Sequence, residues 1–248
     1  LERRNIYVRH APNYKLFRIF GGFSMKKLLL VALTLIVSTS AFAGVIYDLN
    51  TGVYAQGDLV TASGTITGVR YNGFSMTELP AGPYTGVWVY CGDASGFAIG
   101  DEITITDGEY TEYYDLSEII QLNLALITIT GNAPVAPMVM TVAAAAADYE
   151  PWESGFVTFT DGFWVVELLG YGEWAARSYQ SSIDLINDDY FFDETGLEVE
   201  MCYDGVTGIM LFGYGAFKMN PMADGLVVGD CVIANEEVSF GAVKALYR

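Results

Sequence analysis

The stretch Gly86-Val87-Trp88-Val89-Tyr90-Cys91 decides the fold class. Successive side chains of a strand point to opposite faces, so Val87, Val89 and Cys91 share one side while Trp88 and Tyr90 share the other. β-Branched and aromatic residues in strict alternation favour a strand half sunk in a core, with the aliphatic side inward. Similar runs lie on either side of it between glycines: Val60 to Val69, Phe74 to Glu78, Glu102 to Thr106 and Tyr110 to Leu116. Short strands at this spacing predict a small closed or partly closed β-barrel.

A second block repeats the plan. Strands are expected near Gly155 to Asp161, Phe163 to Leu168, Glu173 to Tyr179, Ser182 to Ile186, Leu197 to Tyr203 and Ile209 to Met219. Along the fifth of these, Leu197, Val199, Met201 and Tyr203 should face the core, with Glu198, Glu200 and Cys202 outward. The blocks are separated by Asn132-Ala133-Pro134-Val135-Ala136-Pro137 and the alanine run Ala143 to Ala147. Prolines interrupt strands, and alanines suit a short connecting helix that ends near Pro151. Gly100-Asp101 follows Gly68 by 32 residues and Thr195-Gly196 follows Asp161 by 35, so the blocks look like diverged copies.

The chain has 248 residues, with 12 basic and 30 acidic side chains for a formal charge of −18; 52% of residues are hydrophobic and 14% aromatic. Such a composition excludes intrinsic disorder and coiled coil. Met25-Lys26-Lys27, the apolar run Leu28 to Val37 and the small-residue site Ala41-Phe42-Ala43 have the layout of a secretory signal peptide over 25–43. The apolar run is about half of what a membrane-spanning helix needs, ~20 residues, and no later segment is long enough to span. Residues 1–24 are expected to be translated upstream sequence, because a ribosome-binding site of GGAGG type would encode Gly21-Gly22 at that distance from Met25.

Setting aside residues 1–43 removes His10, the sole histidine, and leaves five basic residues (Arg70, Arg177, Lys218, Lys244, Arg248) against 29 acidic ones. So anionic a chain repels phosphate backbones and anionic lipid, which disfavours nucleic acid and membranes as partners and suits cations.

The stretches Gly64-Thr65-Ile66-Thr67-Gly68-Val69, Gly86-Val87-Trp88-Val89-Tyr90, Gly100-Asp101-Glu102-Ile103 and Glu112-Tyr113-Tyr114-Asp115-Leu116-Ser117-Glu118-Ile119 resemble the OB-fold domains of secreted bacterial proteins. These domains are often found beside extracellular nuclease or lamin-tail domains. In the second block, Glu150-Pro151-Trp152-Glu153-Ser154-Gly155-Phe156-Val157, Tyr171-Gly172-Glu173-Trp174 and Gly213 to Pro221 look like a second unit of the same architecture. The resemblance implies an all-β chain of two tandem OB-like barrels, 44–150 and 151–234, joined by a short helical Pro/Ala linker. It also implies an accessory or binding role, since no nuclease domain follows. The pattern expects an arginine after Pro221, where this chain has Met222.

OB folds hold bases or sugars on flat rings, which makes Trp88, Tyr90, Tyr113, Tyr114, Trp164 and Trp174 candidate ligand-binding residues. The competing reading packs these rings under loops or between the barrels. Asp188, Asp189, Asp193 and Glu194 offer oxygen ligands for Ca²⁺, although their spacing lacks the EF-hand pattern and a solvated acidic loop is the plainer reading. Without imidazole, Ser-His and Cys-His chemistry is absent, and no spacing singles out a catalytic pair of carboxylates. The chain is therefore expected not to be an enzyme.

Cys91 should be a buried free thiol, with a disulfide between Cys202 and Cys231. Residues 235–248 form a C-terminal tail with the look of a sorting tag, or alternatively a last strand or frayed helix. These features together describe a secreted, non-catalytic binding protein whose ligand is a glycan, a protein or calcium. The alternatives are a nucleic-acid-binding accessory to an extracellular nuclease and a self-assembling cell-surface protein that associates through exposed strand edges.

Overall fold

The computed structural model describes residues 44–192 and 196–229. Helix α1 (Val45–Asn50) comes first, followed by β1 (Leu59–Arg70), β2 (Gly73–Thr77), β3 (Gly86–Tyr90), β4 (Asp101–Tyr113), β5 (Leu116–Ile120) and β6 (Ile127–Asn132). These strands order as β1-β2-β3-β5-β4-β6, and β4 also pairs with β1, so five of them close into a ring. Only the β3–β5 step of that ring is parallel. A five-stranded Greek-key ring is the barrel of an OB fold.

The second sheet contains β7 (Met138–Met140), β8 (Phe156–Phe159), β9 (Phe163–Gly170), β10 (Glu173–Ser178), β11 (Asp184–Asp188), β12 (Cys202–Gly213) and β13 (Ala216–Val228). Its order, β13-β11-β10-β9-β12 with β12 returning to β13, closes the same ring, again with one parallel step, β11 to β13. The chain is thus all-β, with two OB-like barrels in tandem. The first barrel's β1 serves two neighbours, β4 from Leu59 to Thr65 and β2 from Thr65 to Arg70. In the second barrel that role is divided between β8 and β9.

The break between β8 and β9 has a polar anchor. Asp161 is buried there, and its carboxylate accepts from Val142 N at 2.7 Å and from Ser178 Oγ at 2.8 Å. A buried carboxylate is tolerable only with such donors. The Val142 contact ties helix α2 (Val142–Ala145) to the barrel, and Thr141 caps that helix by accepting from Ala144 N.

Each barrel is plugged by the short helix preceding its first strand. Ile46 and Leu49 of α1 enter the first core beside Ile66, Phe74, Val87 and Ile119. Val142 and Ala145 of α2 enter the second beside Phe159, Phe163, Trp174 and Tyr203. Burying each large apolar side chain contributes about 2–3 kcal/mol. Ile46 precedes Val60 by 14 residues and Val142 precedes Val157 by 15, so the recurring unit is a helix followed by a barrel.

Several expected boundaries move. Because β7 pairs parallel with β8 and α2 plugs the second core, the division between blocks falls at the Pro134 to Pro137 segment rather than near residue 150. The runs Glu102 to Thr106 and Tyr110 to Leu116 are not two strands: β4 runs unbroken to Tyr113, and the turn lies at Tyr114-Asp115. Ile209 to Met219 is likewise a hairpin that turns at Tyr214-Gly215. Of the run Leu197 to Tyr203, only Cys202 and Tyr203 are strand; Val199 is 51% exposed, and Cys202 is buried rather than outward. The short edge strands are β6, with 6 residues, and β7, with 3.

Candidate functional site

The barrels meet along the outer face of β2, β3 and β5. Ser75 pairs in register with Trp88, and Trp88 with Glu118, so these three side chains stand in one row across the sheet. The alternation along β3 that sends Val87 and Val89 into the core sends Trp88 outward, toward the second barrel. Ser75 Oγ donates to the Ser154 carbonyl at 2.7 Å. Trp88 lies edge-on to Tyr190 and Phe191, with ring centroids 5.7 and 6.1 Å away. At the closest approach a Cβ on Gly86 would stand 2.4 Å from the Ser154 carbonyl carbon, so only glycine lets the barrels come this near.

Beyond Glu118 the row opens into a cleft of about 880 Å³. One wall is the β4–β5 hairpin with Tyr113, Tyr114 and Asp115; the other is the β12–β13 hairpin with Phe212, Tyr214 and Lys218. Both hairpins turn on two residues at positive φ: Tyr114 (50°) with Asp115 (66°), and Tyr214 (55°) with Gly215 (84°). This is type I′ geometry, which normally selects Asn-Gly. Tyrosine in the left-handed region costs of order 1 kcal/mol, and both hairpins hold one there. Tyr114 is 77% and Tyr214 99% exposed, and the rings of Tyr113 and Tyr114 meet edge-on at 4.7 Å.

Charge is distributed unevenly. Lys218 is 5% exposed, and its Nζ donates to Glu173 Oε1 and, at 3.3 Å, to Asp188 Oδ2, with the Tyr214 ring centroid 5.0 Å away. Burial works against the ammonium, but these carboxylates outweigh it and hold the Lys218 pKa above its ordinary value. Glu118 is 7% exposed, and among the described residues no hydrogen bond or ion pair reaches its carboxylate. Burial, with repulsion from Glu112 second, pushes its pKa up to about 7. Behind the cleft, Glu153 accepts from Ser117 N at 3.0 Å, and burial pushes its pKa up to about 8.

The other two described cations are also committed. The Arg70 guanidinium lies 3.7 Å from the Tyr190 ring centroid and donates to the Tyr190 carbonyl. Arg177 forms a two-point pair with Asp184, at 2.6 and 2.9 Å. No described cation is left to face a phosphate, and the cleft presents Asp115 and Glu118 instead.

Three of the expected ring residues, Trp88, Tyr113 and Tyr114, line this cleft. Trp88 is buried, so it forms the floor rather than an open platform. Tyr90 and Trp164 lie elsewhere, Trp164 tilted against Tyr179 at 4.8 Å, and Trp174 is buried in the second core. Tyr71, Tyr190, Phe212, Tyr214, Glu118 and Lys218 complete the site without having been singled out in the sequence. A signal was present: Tyr71 and Tyr171 stand in equivalent β-turns 100 residues apart, as do Tyr114 and Tyr214.

Of the expected calcium ligands, Asp188 is engaged by Lys218, and Asp193 and Glu194 lie outside the described residues. Among the described residues no group of three or more candidate ligands assembles, and Asp189 with Asp188 does not make one. Cys91 is a buried free thiol. Cys202 is disulfide-bonded, and its expected partner Cys231 lies outside the described residues, as do the tail 235–248 and the segments 1–24 and 25–43. No helix among the described residues is long and apolar enough to cross a membrane.

No family model matches the chain, and no curated protein matches it. Solved structures similar to it include p202 HIN1 in complex with a 12-mer dsDNA, at 10% identity over 73% of this chain and 99% of that one, with a TM-score of 0.32. A structure described as "Structural mimicry for functional antagonism" matches at 11% identity over 69% and 94%, with a TM-score of 0.34. Another, "Molecular basis for abrogation of activation of pro-inflammatory cytokines", matches at 10% identity over 71% and 95%, with a TM-score of 0.32. Likeness this distant carries no argument about ligand, which rests on the cleft itself.

Proposed function

We propose that this protein is an exported, non-catalytic binding module that seats a glycan in the cleft between its two OB-like barrels. The observation that carries the reading is the convergence of Tyr113, Tyr114 and Tyr214 on one cleft, from equivalent hairpins of the two barrels, with no free cation beside them among the described residues. Exposed rings stack on the apolar face of a sugar, and a concave site of several hundred Å³ suits a short oligosaccharide. Nucleic acid uses the same rings but needs cations along its backbone, and Arg70, Arg177 and Lys218 are all engaged within the protein. Export rests on the signal-peptide pattern, and the resemblance to tandem OB domains of secreted proteins agrees with an accessory role.

The test is calorimetric titration of the full chain with neutral oligosaccharides such as cellotriose and chitotriose. Saturable binding that falls at least tenfold in the Tyr114→Ala/Tyr214→Ala double variant is expected. Salt-sensitive retention on single-stranded DNA with no response to any sugar would overturn the reading.

A further inference from the structure

Glu118 and Lys218 occupy the same place in the two barrels. Each is the third residue of the strand that follows the type I′ hairpin, each is buried, and both line the cleft. Lys218 has two carboxylates and a ring around it. Glu118 has none of the equivalent partners. A buried carboxylate costs free energy unless a donor or a positive charge meets it, and among the described residues none does. Around its opening stand the rings of Trp88, Tyr113 and Tyr114, of the kind that attract a cation by their quadrupoles, while the ring of Tyr190 already carries the Arg70 guanidinium.

We propose that the cleft recognises a positively charged organic nitrogen, an alkylammonium or amino-sugar ammonium group, with Glu118 as its counter-ion and the surrounding rings as its box. This rests on the reading that the cleft is a ligand site and specifies the ligand chemistry there: the group that stacks on the tyrosines carries a cation beside its flat face. Lys218 is not an obstacle to the positive charge, because Glu173 and Asp188 neutralise it. The charged and titratable groups around Glu118 and its cleft are Glu112 of β4, Asp115, Tyr113 and Tyr114 of the hairpin, Tyr71 of the β1–β2 turn, Asp188 at the end of β11, Tyr190 just beyond it with Arg70 on its ring, and Lys218 of β13.

The experiment titrates the full chain with choline and with 3,3-dimethylbutan-1-ol, its uncharged isostere, following tryptophan fluorescence and heat. Choline is expected to bind about tenfold more tightly than the isostere, and Glu118→Gln to remove that preference while leaving the melting profile cooperative. Choline carries a permanent charge, so only the protein titrates, and the preference should rise as pH goes from about 6 to about 8, through the Glu118 pKa of about 7. The pH series needs no Glu118 variant: repeated in Glu153→Gln, which removes the other carboxyl raised into this range, the rise in preference should persist, and its loss there would overturn the inference. Equal binding of the two probes, or a preference that is flat with pH and unchanged in Glu118→Gln, overturns the inference. Sugar binding that depends on Tyr114 and Tyr214 alongside indifferent choline binding would remove the cation and keep the glycan; choline preference with no sugar response would do the reverse.

Discussion

Glu118 and Lys218 hold equivalent positions in the two barrels with opposite charge. The two barrels share a strand order, a plugging helix and a tyrosine-bearing type I′ hairpin, yet the third residue after that hairpin is an acid in one and a base in the other. Around Lys218 the second barrel built compensation, from Glu173 on β10 and Asp188 on β11. Around Glu118 the first barrel has none; the place that Glu173 takes at the start of β10 is held in β2 by Gly73, which has no side chain to offer. The same fold therefore carries one position satisfied from within and another left for something outside.

Four variants break or sharpen this contrast. Lys218→Met should cost the most, about 3 kcal/mol in urea unfolding, because it leaves Glu173 and Asp188 close together without their cation. Glu153→Gln comes next. Its carboxyl is raised to about 8, so the folded state holds a proton that the unfolded state releases above the ordinary value of 4.5. Stability is complete below that value and falls as pH climbs from 4.5 to about 8. The amide variant should match the parent near pH 5 and exceed it by about 2 kcal/mol at pH 9, with a flatter melting-temperature profile across that window.

Glu118→Gln should act with the same sign over a narrower window, from 4.5 to about 7, gaining about 1 kcal/mol at pH 8 and nothing at pH 4. That opposes the loss at Lys218, and a destabilisation at both positions would show that Glu118 has an internal partner after all. The smallest effect is expected from Tyr114→Asn with Asp115→Gly, which relieves two left-handed residues and should add about 0.5–1 kcal/mol in the same assay. If the tyrosine is kept for ligand stacking, that stabilised variant binds sugar more weakly.

The barrels were legible because their signal is local. Alternation in Gly86 to Cys91 marked Val87 and Val89 as core, and the alanine run Ala143 to Ala147 overlapped α2, which starts one residue earlier and ends at Ala145. The turns at Tyr114-Asp115 and Tyr214-Gly215 escaped because a tyrosine at positive φ carries no turn signature; tertiary packing imposes the conformation against its preference. Trp88 illustrates the second limit. It alternates correctly, but only pairing in space decides whether the outward face of a strand meets solvent or another barrel. Glu118 could not have been found by pattern at all, since its distinction is the lack of a neighbour, and neighbours across β3 and β5 are set by the closure of the ring.

The two walls of the cleft are borne by separate barrels, held at fixed spacing where Gly86 abuts Ser154. An occupant touching both walls acts as a bolt across a joint: it loads the seam in proportion to its affinity and merges the melting of the halves into one event. Either half alone carries one wall of the cleft, a single jaw without its opposite.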